Sequence, residues 1–357
     1  FFPEEALEKS LPLEVLNYVK KHYDDCCKPL FFILLILARS TRRYKIRGIC
    51  RYMFNNFKLL RVLNYEIRRT RDLFGGWKLP SDIGNDIGNL VHLRFLSLRN
   101  LKFQWSKLPS SLGNLRCLQT LDLRVGNCRI HVPNVIWRME QLRHLYLPSN
   151  CKSSTKLKLG TLRKHLTLVN FNTKNCYLKD LINMTNLREL EIYGPFYIEN
   201  FNEEELGENP PIIGSKYLHS LSIINYGEHG SVDPKHLAVS FLAVQEDPMP
   251  TLEKLPNLRI LKLVSFEGKE MFCSAQGFPK LESLSLSGLH NLKEWNVDEG
   301  AMPSLQRLEI WECRNLKMLP EGLRFITTLK ELKVTLMGKT FKHRLEEGGE
   351  DFYKVKH

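Results

Sequence analysis

Apolar residues recur at every third position and then close on a tight leucine-x-leucine, and this phrase repeats along most of the chain. Ile87, Leu90, Leu93, Leu96 and Leu98 form one copy, and Leu112, Leu115, Leu118, Leu121 and Leu123 the next. Ile136, Met139, Leu142, Leu145 and Leu147 follow, then Leu178, Leu181, Met184, Leu187, Leu190 and Ile192, then Leu252, Leu255, Leu258, Leu261 and Leu263. Shorter copies end at Leu284-Ser285-Leu286, Leu308-Glu309-Ile310 and Leu332-Lys333-Val334. Each closing pair predicts a short strand in which the aliphatic residues turn inward and the residues between them outward. One such turn cannot bury its leucines alone, so neighbouring turns must stack into a continuous core.

The spacing between copies strengthens this reading. Leu96 to Leu121 is 25 residues, then 24 to Leu145, 23 to Leu168 and 22 to Leu190. Further on, Leu261 to Leu284 is 23, then 24 to Leu308 and 24 to Leu332. An interval of roughly 20–29 residues is that of leucine-rich repeats. The predicted fold is therefore an α/β leucine-rich-repeat solenoid, a horseshoe with a parallel β-sheet on its concave face and irregular returns on its convex face. The returns repeat too. Leu79-Pro80-Ser81, Leu108-Pro109-Ser110, Val132-Pro133-Asn134 and Leu319-Pro320-Glu321 share one register, and proline suits a position with no ladder hydrogen bond to donate. Asp82-Ile83-Gly84-Asn85 is duplicated as Asp86-Ile87-Gly88-Asn89, an insert that a convex loop absorbs at little entropic cost.

Two intervals break the beat. Leu190 to Leu221 is 31 residues and Leu221 to Leu261 is 40. Their extra length falls in acidic, proline-containing stretches, so loop insertions are expected near 198–211 and 226–250. His165 stands where the spacing calls for a leucine, which marks that repeat as degenerate. Residues 1–50 read as an incomplete N-terminal cap with worn first repeats, 51–345 as the array, and 346–357 as a C-terminal tail. The longest apolar run, Leu30–Ala38, is nine residues. A membrane span needs about 20, so this run reads as a buried strand. The chain opens Phe1-Phe2-Pro3-Glu4 with no basic region before an apolar stretch, so no signal peptide is read. It is taken as an internal or C-terminal piece of a longer protein.

Charge and cysteines narrow the function classes. The formal net charge is +13, and Arg39 to Arg71 alone, with eleven Lys or Arg and Glu66 as its one acid, supplies +10. Arg39, Arg42, Arg43, Lys45, Arg47, Arg51, Arg61, Arg68, Arg69 and Arg71 form a candidate docking segment for an acidic surface. A simply solvated charged face is the alternative. Nucleic acid is not expected as a partner, because no nucleic-acid module or group of stacking aromatics accompanies the segment. Nine cysteines with no Cys-x-x-Cys fit a reducing, cytoplasmic setting rather than a disulfide frame.

Catalytic chemistry is not legible. Gly338-Lys339-Thr340 resembles the end of a phosphate loop, but the glycine needed five residues earlier is replaced by Lys333. His22, Cys26 and Cys27 lack a second ligand pair at zinc spacing. Cys128, Cys151 and Cys176 recur about once per repeat, as shared turn positions do. Neither a nucleophile elbow nor a zinc-protease helix motif is present. The expectation is a binding protein with no catalytic, metal or cofactor-binding residues.

The residues that alternate outward from the strands are the candidate contacts. Among them Phe95, Arg99, Arg124, His144, Tyr146, Glu191, Tyr193, Arg307 and Trp311 are chosen as the protein-binding set, since aromatics and arginines dominate interface hot spots. Isolated surface aromatics are also common, and that reading stays open.

The wording of the repeats resembles one family. Leu79-Pro80-Ser81-Asp82-Ile83-Gly84, Gly88-Asn89-Leu90-Val91-His92-Leu93-Arg94-Phe95-Leu96-Ser97-Leu98 and Leu108-Pro109-Ser110-Ser111-Leu112-Gly113-Asn114-Leu115 are similar to plant intracellular immune receptors. Leu142-Arg143-His144-Leu145-Tyr146-Leu147 continues the likeness, which covers roughly residues 50 to 345. These are the coiled-coil, nucleotide-binding, leucine-rich-repeat disease-resistance proteins. The resemblance implies a C-terminal repeat domain that senses pathogen effectors or guarded host proteins and restrains the nucleotide switch. It also implies that the basic segment docks on an upstream nucleotide-binding domain, to which ATP or ADP would belong. Two other readings remain, a general leucine-rich-repeat scaffold and a ubiquitin-ligase substrate adaptor.

Overall fold

The computed structural model describes residues 54–55, 58–64, 78–79, 86–99, 102–103, 107–125, 130–151, 156–172, 174–194, 216–225 and 247–355. Its strands, in chain order, are β1 (Val62–Asn64), β2 (Lys78–Leu79), β3 (Phe95–Ser97), β4 (Lys102–Phe103), β5 (Thr120–Asp122), β6 (His144–Tyr146), β7 (Thr167–Phe171) and β8 (Glu189–Tyr193). Next come β9 (Ser220–Ile224), β10 (Ile260–Val264), β11 (Glu270–Cys273), β12 (Ser283–Ser287), β13 (Glu294–Val297), β14 (Arg307–Trp311) and β15 (Glu331–Thr335). Eleven of them form one parallel sheet in the order β1-β3-β5-β6-β7-β8-β9-β10-β12-β14-β15.

The leucine periodicity sets that order. Leu63, Leu96, Leu121, Leu145, Leu168, Leu190 and Leu221 sit opposite one another strand after strand. Leu261, Leu284, Leu308 and Leu332 continue the column. All but Leu332 are buried. Fully burying one such side chain is worth about 1.5–3 kcal/mol, and no turn can do so without its neighbours. The register survives both long intervals, because β9 pairs directly with β8 and with β10. One irregularity occurs in β7, where pairing with β8 slips between Leu168 and Phe171. Asn170 takes φ 59° there and donates its side-chain amide to the Leu147 carbonyl at 2.8 Å.

The convex returns are more regular than the sequence suggested. Short 3-10 turns at Ile87–Asn89, Ser110–Asn114, Ile136–Arg138, Leu178–Asn183 and Glu321–Phe325 send Ile87, Leu112, Ile136, Leu181 and Leu323 into the core. Two short α-helices, α1 (Met249–Leu252) and α2 (Lys339–Leu345), have described bounds. β2 pairs with β4, and β11 with β13, as two further two-stranded sheets that the leucine pattern did not announce. Cys151 and Cys176 lie at isolated bridges, to Ile130 and Leu157 respectively, so Cys176 is in register with Leu157 rather than with Cys151, and Cys128 lies outside the described residues.

His165 occupies the leucine position as read, and it is buried. Neither ring nitrogen has a hydrogen-bond partner. Residues 346–355, read as a C-terminal tail, pack against the end of the array. Asp351 and Lys354 are buried, and Asp351 accepts the Leu319 backbone N–H at 3.1 Å. Closing the last coil requires this cover over Leu319 and Leu323, so the segment is part of the packed end. The N-terminal cap, the Leu30–Ala38 strand and the insertion near 198–211 lie outside the described residues, as does most of the one near 226–250. That second insertion ends in structure, since α1 begins at Met249, which is buried.

Candidate protein-binding face

The alternating strands present two principal outward rows. The first runs Val62, Phe95, Thr120, His144, Thr167, Glu189, Ser220, Ile260, Ser283, Arg307 and Glu331. In the second, Ser97, Asp122 and Tyr146 lie on the N-terminal side. Glu191, Ser222, Lys262, Ser285, Glu309 and Lys333 continue it. Every sequence-chosen contact on a described strand therefore stands on the concave side, yet they do not form one cluster.

Arg124, His144, Tyr146 and Glu191 come together at the centre. Asp122 accepts two side-chain bonds from Arg124, at 3.0 Å from Nε and 2.6 Å from Nη2. The Arg124 guanidinium carbon then lies 4.2 Å from the Tyr146 ring centroid. His144 Nδ1 lies 3.1 Å from the Thr167 hydroxyl, which also reaches Glu189 at 3.4 Å. Partial burial shapes the charges. The hydrogen bond to Asp122 raises the pKa of Arg124. Burial raises that of Tyr146, helped by Glu189 and opposed by Arg124. Burial lowers His144 and raises Glu191, which Lys262 and Arg124 pull back. The centre is thus a polar, half-desolvated platform in which each charge feels the others.

Phe95 and Arg99 stand apart, on and just after β3, half-buried and exposed respectively. Arg307 and Trp311 are exposed on β14, four strands beyond Glu191 and Tyr193, roughly 19 Å away at the usual strand spacing. The serines of β9 and β12 leave a low floor between these groups, from which Ile260 and Lys262 rise. Sequence reading passed over Asp122, Thr167 and Lys262 as contacts. Asp122 stands opposite Tyr146 and Thr167 opposite His144, a register that could have found them, whereas Lys262 lies between Ser222 and Ser285 and carried no such signal. Of the basic docking set, Arg61 is described and exposed; Arg39, Arg42, Arg43, Lys45, Arg47, Arg51, Arg68, Arg69 and Arg71 lie outside the described residues.

No group of three or more His, Cys, Asp or Glu is placed to hold a metal among the described residues. Lys333 lies within β15, and Gly338 caps α2, so a strand rather than a glycine loop precedes Gly338-Lys339-Thr340. No helix among the described residues is long and apolar enough to cross a membrane.

Known proteins are similar to this chain. The family model described as a leucine-rich repeat region matches residues 39–229. A probable disease resistance protein of Arabidopsis thaliana, RXW24L, is 42% identical over 345 residues, covering 88% of this chain and 36% of its own length. Disease resistance protein RPP8 of the same plant is 37% identical over 358 residues, covering 90% of this chain and 38% of its own. The chain therefore spans little more than a third of these relatives. Among solved structures, a leucine-rich-repeat protein of Leptospira interrogans superposes with TM-score 0.36 at 18% identity, covering 91% of this chain and 98% of that one. By its family match and these relatives, the chain belongs to the leucine-rich-repeat family, with a repeat region homologous to that of plant disease-resistance proteins.

Proposed function

We propose that this chain is the protein-interaction domain of a plant disease-resistance receptor, working in the cytoplasm and without catalytic activity. Its concave face takes a pathogen effector or a guarded host protein. Its basic segment around Arg61 docks on the receptor's own nucleotide-binding domain, where ATP or ADP is bound. The observation that supports this reading best is the uninterrupted concave sheet, with Arg124 and Tyr146 held in fixed contact at its centre. An aromatic ring and a partly desolvated arginine side by side are the residue types that dominate protein hot spots.

The test uses the receptor that carries this repeat region. Tyr146→Ala combined with Tyr193→Ala should abolish the response to its effector, while the repeat region still co-precipitates with the nucleotide-binding domain. Arg61→Glu should weaken that co-precipitation in a salt-dependent way. A response untouched by the tyrosine pair and by Trp311→Ala would remove the concave-face reading. Co-purification with a ubiquitin-ligase core, and not with a nucleotide-binding domain, would favour the adaptor reading instead.

A further inference from the structure

Each of the first strands is entered through a two-residue turn, at 58–59, 91–92, 116–117, 140–141, 163–164, 185–186 and 216–217, followed by an inward residue and then an outward one. That last position is Arg61, Arg94, Gln119, Arg143, Leu166, Arg188 and His219 in successive coils. Backbone hydrogen bonds tie the column together. Arg94 donates to the Arg61 carbonyl at 2.7 Å, and Gln119 to Arg94 at 2.8 Å. Arg143 donates to Gln119, Leu166 to Arg143 and Arg188 to Leu166, each at 2.8 Å. No register slip interrupts these links, so the arginines share one flank of the sheet, with Arg94, Arg143 and Arg188 about 10 Å apart.

This flank is strongly charged. Its turn and column positions between 58 and 219 hold nine Lys or Arg (Arg116, Arg163, Lys164, Lys58 and Lys216 join the four column arginines) against a single acid, Glu140. The side chains of Arg61, Arg94, Arg143 and Arg188 are exposed and make no hydrogen bond or ion pair among the described residues. Further along, Arg259 in the same column is neutralised by Glu282 at 3.2 Å. Exposed apolar groups stand among the charges: Leu59 at 67%, Val91 at 44% and Tyr217 at 56% exposure.

We infer that this flank is a docking face for a membrane leaflet rich in acidic phospholipids. Repeated entry turns in one register make a broad, shallow face rather than a groove, and a bilayer surface is broad. Clustered Lys and Arg are drawn to its negative potential. Leu59, Val91 and Tyr217 are suited to the headgroup boundary, where tyrosine and aliphatic groups settle. Nucleic acid fits less well, since Tyr217 is the one Phe, Tyr or Trp exposed at these positions, with His92 and His219 as isolated imidazoles, and single-strand binders stack successive bases. Seated on its flank, the horseshoe leaves the concave face open, so lipid and protein partners do not compete.

The chain is sedimented with vesicles of phosphatidylcholine alone and with phosphatidylserine as about a third of the lipid. Binding is expected with phosphatidylserine only, and it should fall away in about 0.5 M salt. The variant R94Q/R143Q/R163Q/R188Q should partition at least about tenfold less. Removing four lysines elsewhere (K107Q/K158Q/K179Q/K342Q) should change partitioning less than about twofold. Circular dichroism checks that both variants fold, and the salt series on the unaltered chain decides the matter if the arginine variant does not. The inference is overturned if the unaltered chain ignores acidic vesicles or binds neutral ones equally. It is overturned too if the lysine variant loses as much as the arginine variant, or if a single-stranded oligonucleotide binds more tightly than the vesicles.

Discussion

Arg124 lies over the ring of Tyr146 with its guanidinium 4.2 Å from the centroid, although 22 residues and a whole convex return separate the two. Asp122 holds the guanidinium in place by two bonds. Lysine cannot reproduce either the fork or the stacking. Arg124→Lys should therefore cost about 1 kcal/mol of stability, and Arg124→Ala about 2 kcal/mol, from the lost charge-assisted bonds and ring contact. Urea unfolding with hydrogen exchange read over β5 and β6 checks this. Equal stability of all three proteins would mean that the pair contributes nothing.

His165 makes the middle of the array acid-sensitive. Burial, with a smaller contribution from His144, depresses its pKa to about 3 against an ordinary 6.5. Between these values the unfolded chain binds the proton and the folded chain does not. Stability should therefore be full above pH 6.5 and fall as the pH drops through that window, by about 1.4 kcal/mol per pH unit. Carboxylates titrate in the same range, so the comparison is with His165→Leu, which restores the column. That variant should be more stable by about 1–2 kcal/mol even at neutral pH, because two unpartnered buried nitrogens are removed. Parallel pH profiles for the two proteins would refute the account.

Gly322 permits the last two coils to touch. A Cβ built there would lie 2.1 Å from the Val297 carbonyl oxygen, a backbone atom that cannot swing away. Gly322→Ala should lower stability by about 1–3 kcal/mol through overpacking. Gly338→Ala, whose nearest neighbour would be the Arg314 carbonyl oxygen at 3.8 Å, should cost only about 0.5 kcal/mol as a change of helix cap. Thermal melts of the two variants side by side are sufficient.

At the C-terminal end, Asp351 is the acceptor on which the cover depends. Arg344 Nε reaches it at 3.0 Å and Lys354 Nζ at 2.9 Å, and Lys354 also donates to the Leu319 carbonyl at 3.0 Å. Burial opposes ionisation of Asp351, but the hydrogen bonds from Arg344, Lys354 and the Leu319 N–H outweigh it and hold its pKa below the usual range. Asp351→Ala leaves the buried Lys354 with Glu321 as its remaining carboxylate partner, at 3.0 Å, and Arg344 without its buried acceptor, and should cost about 2 kcal/mol. Hydrogen exchange should show residues 339–355 opening before the sheet does. Loss of protection in β5–β8 first would contradict this.

Most of the architecture could be read directly from the amino acids. A period of 22 to 25 residues ending in leucine-x-leucine determines which side chains turn inward and which strand follows which. It does so because each coil is too small to bury its own leucines, and the same position in the next coil is the nearest available cover. His165 was identified as an intruder in that column by spacing alone. What the tertiary structure decided concerns residues whose roles carry no period. The grip of Asp122 on Arg124, the cover built around Asp351 and the pairing of β11 with β13 each depend on how neighbouring coils settle against one another. A recurring leucine announces its burial because aliphatic contacts are non-directional. A hydrogen bond or a stacked ring needs an angle and a distance, and these exist only once the coils are stacked.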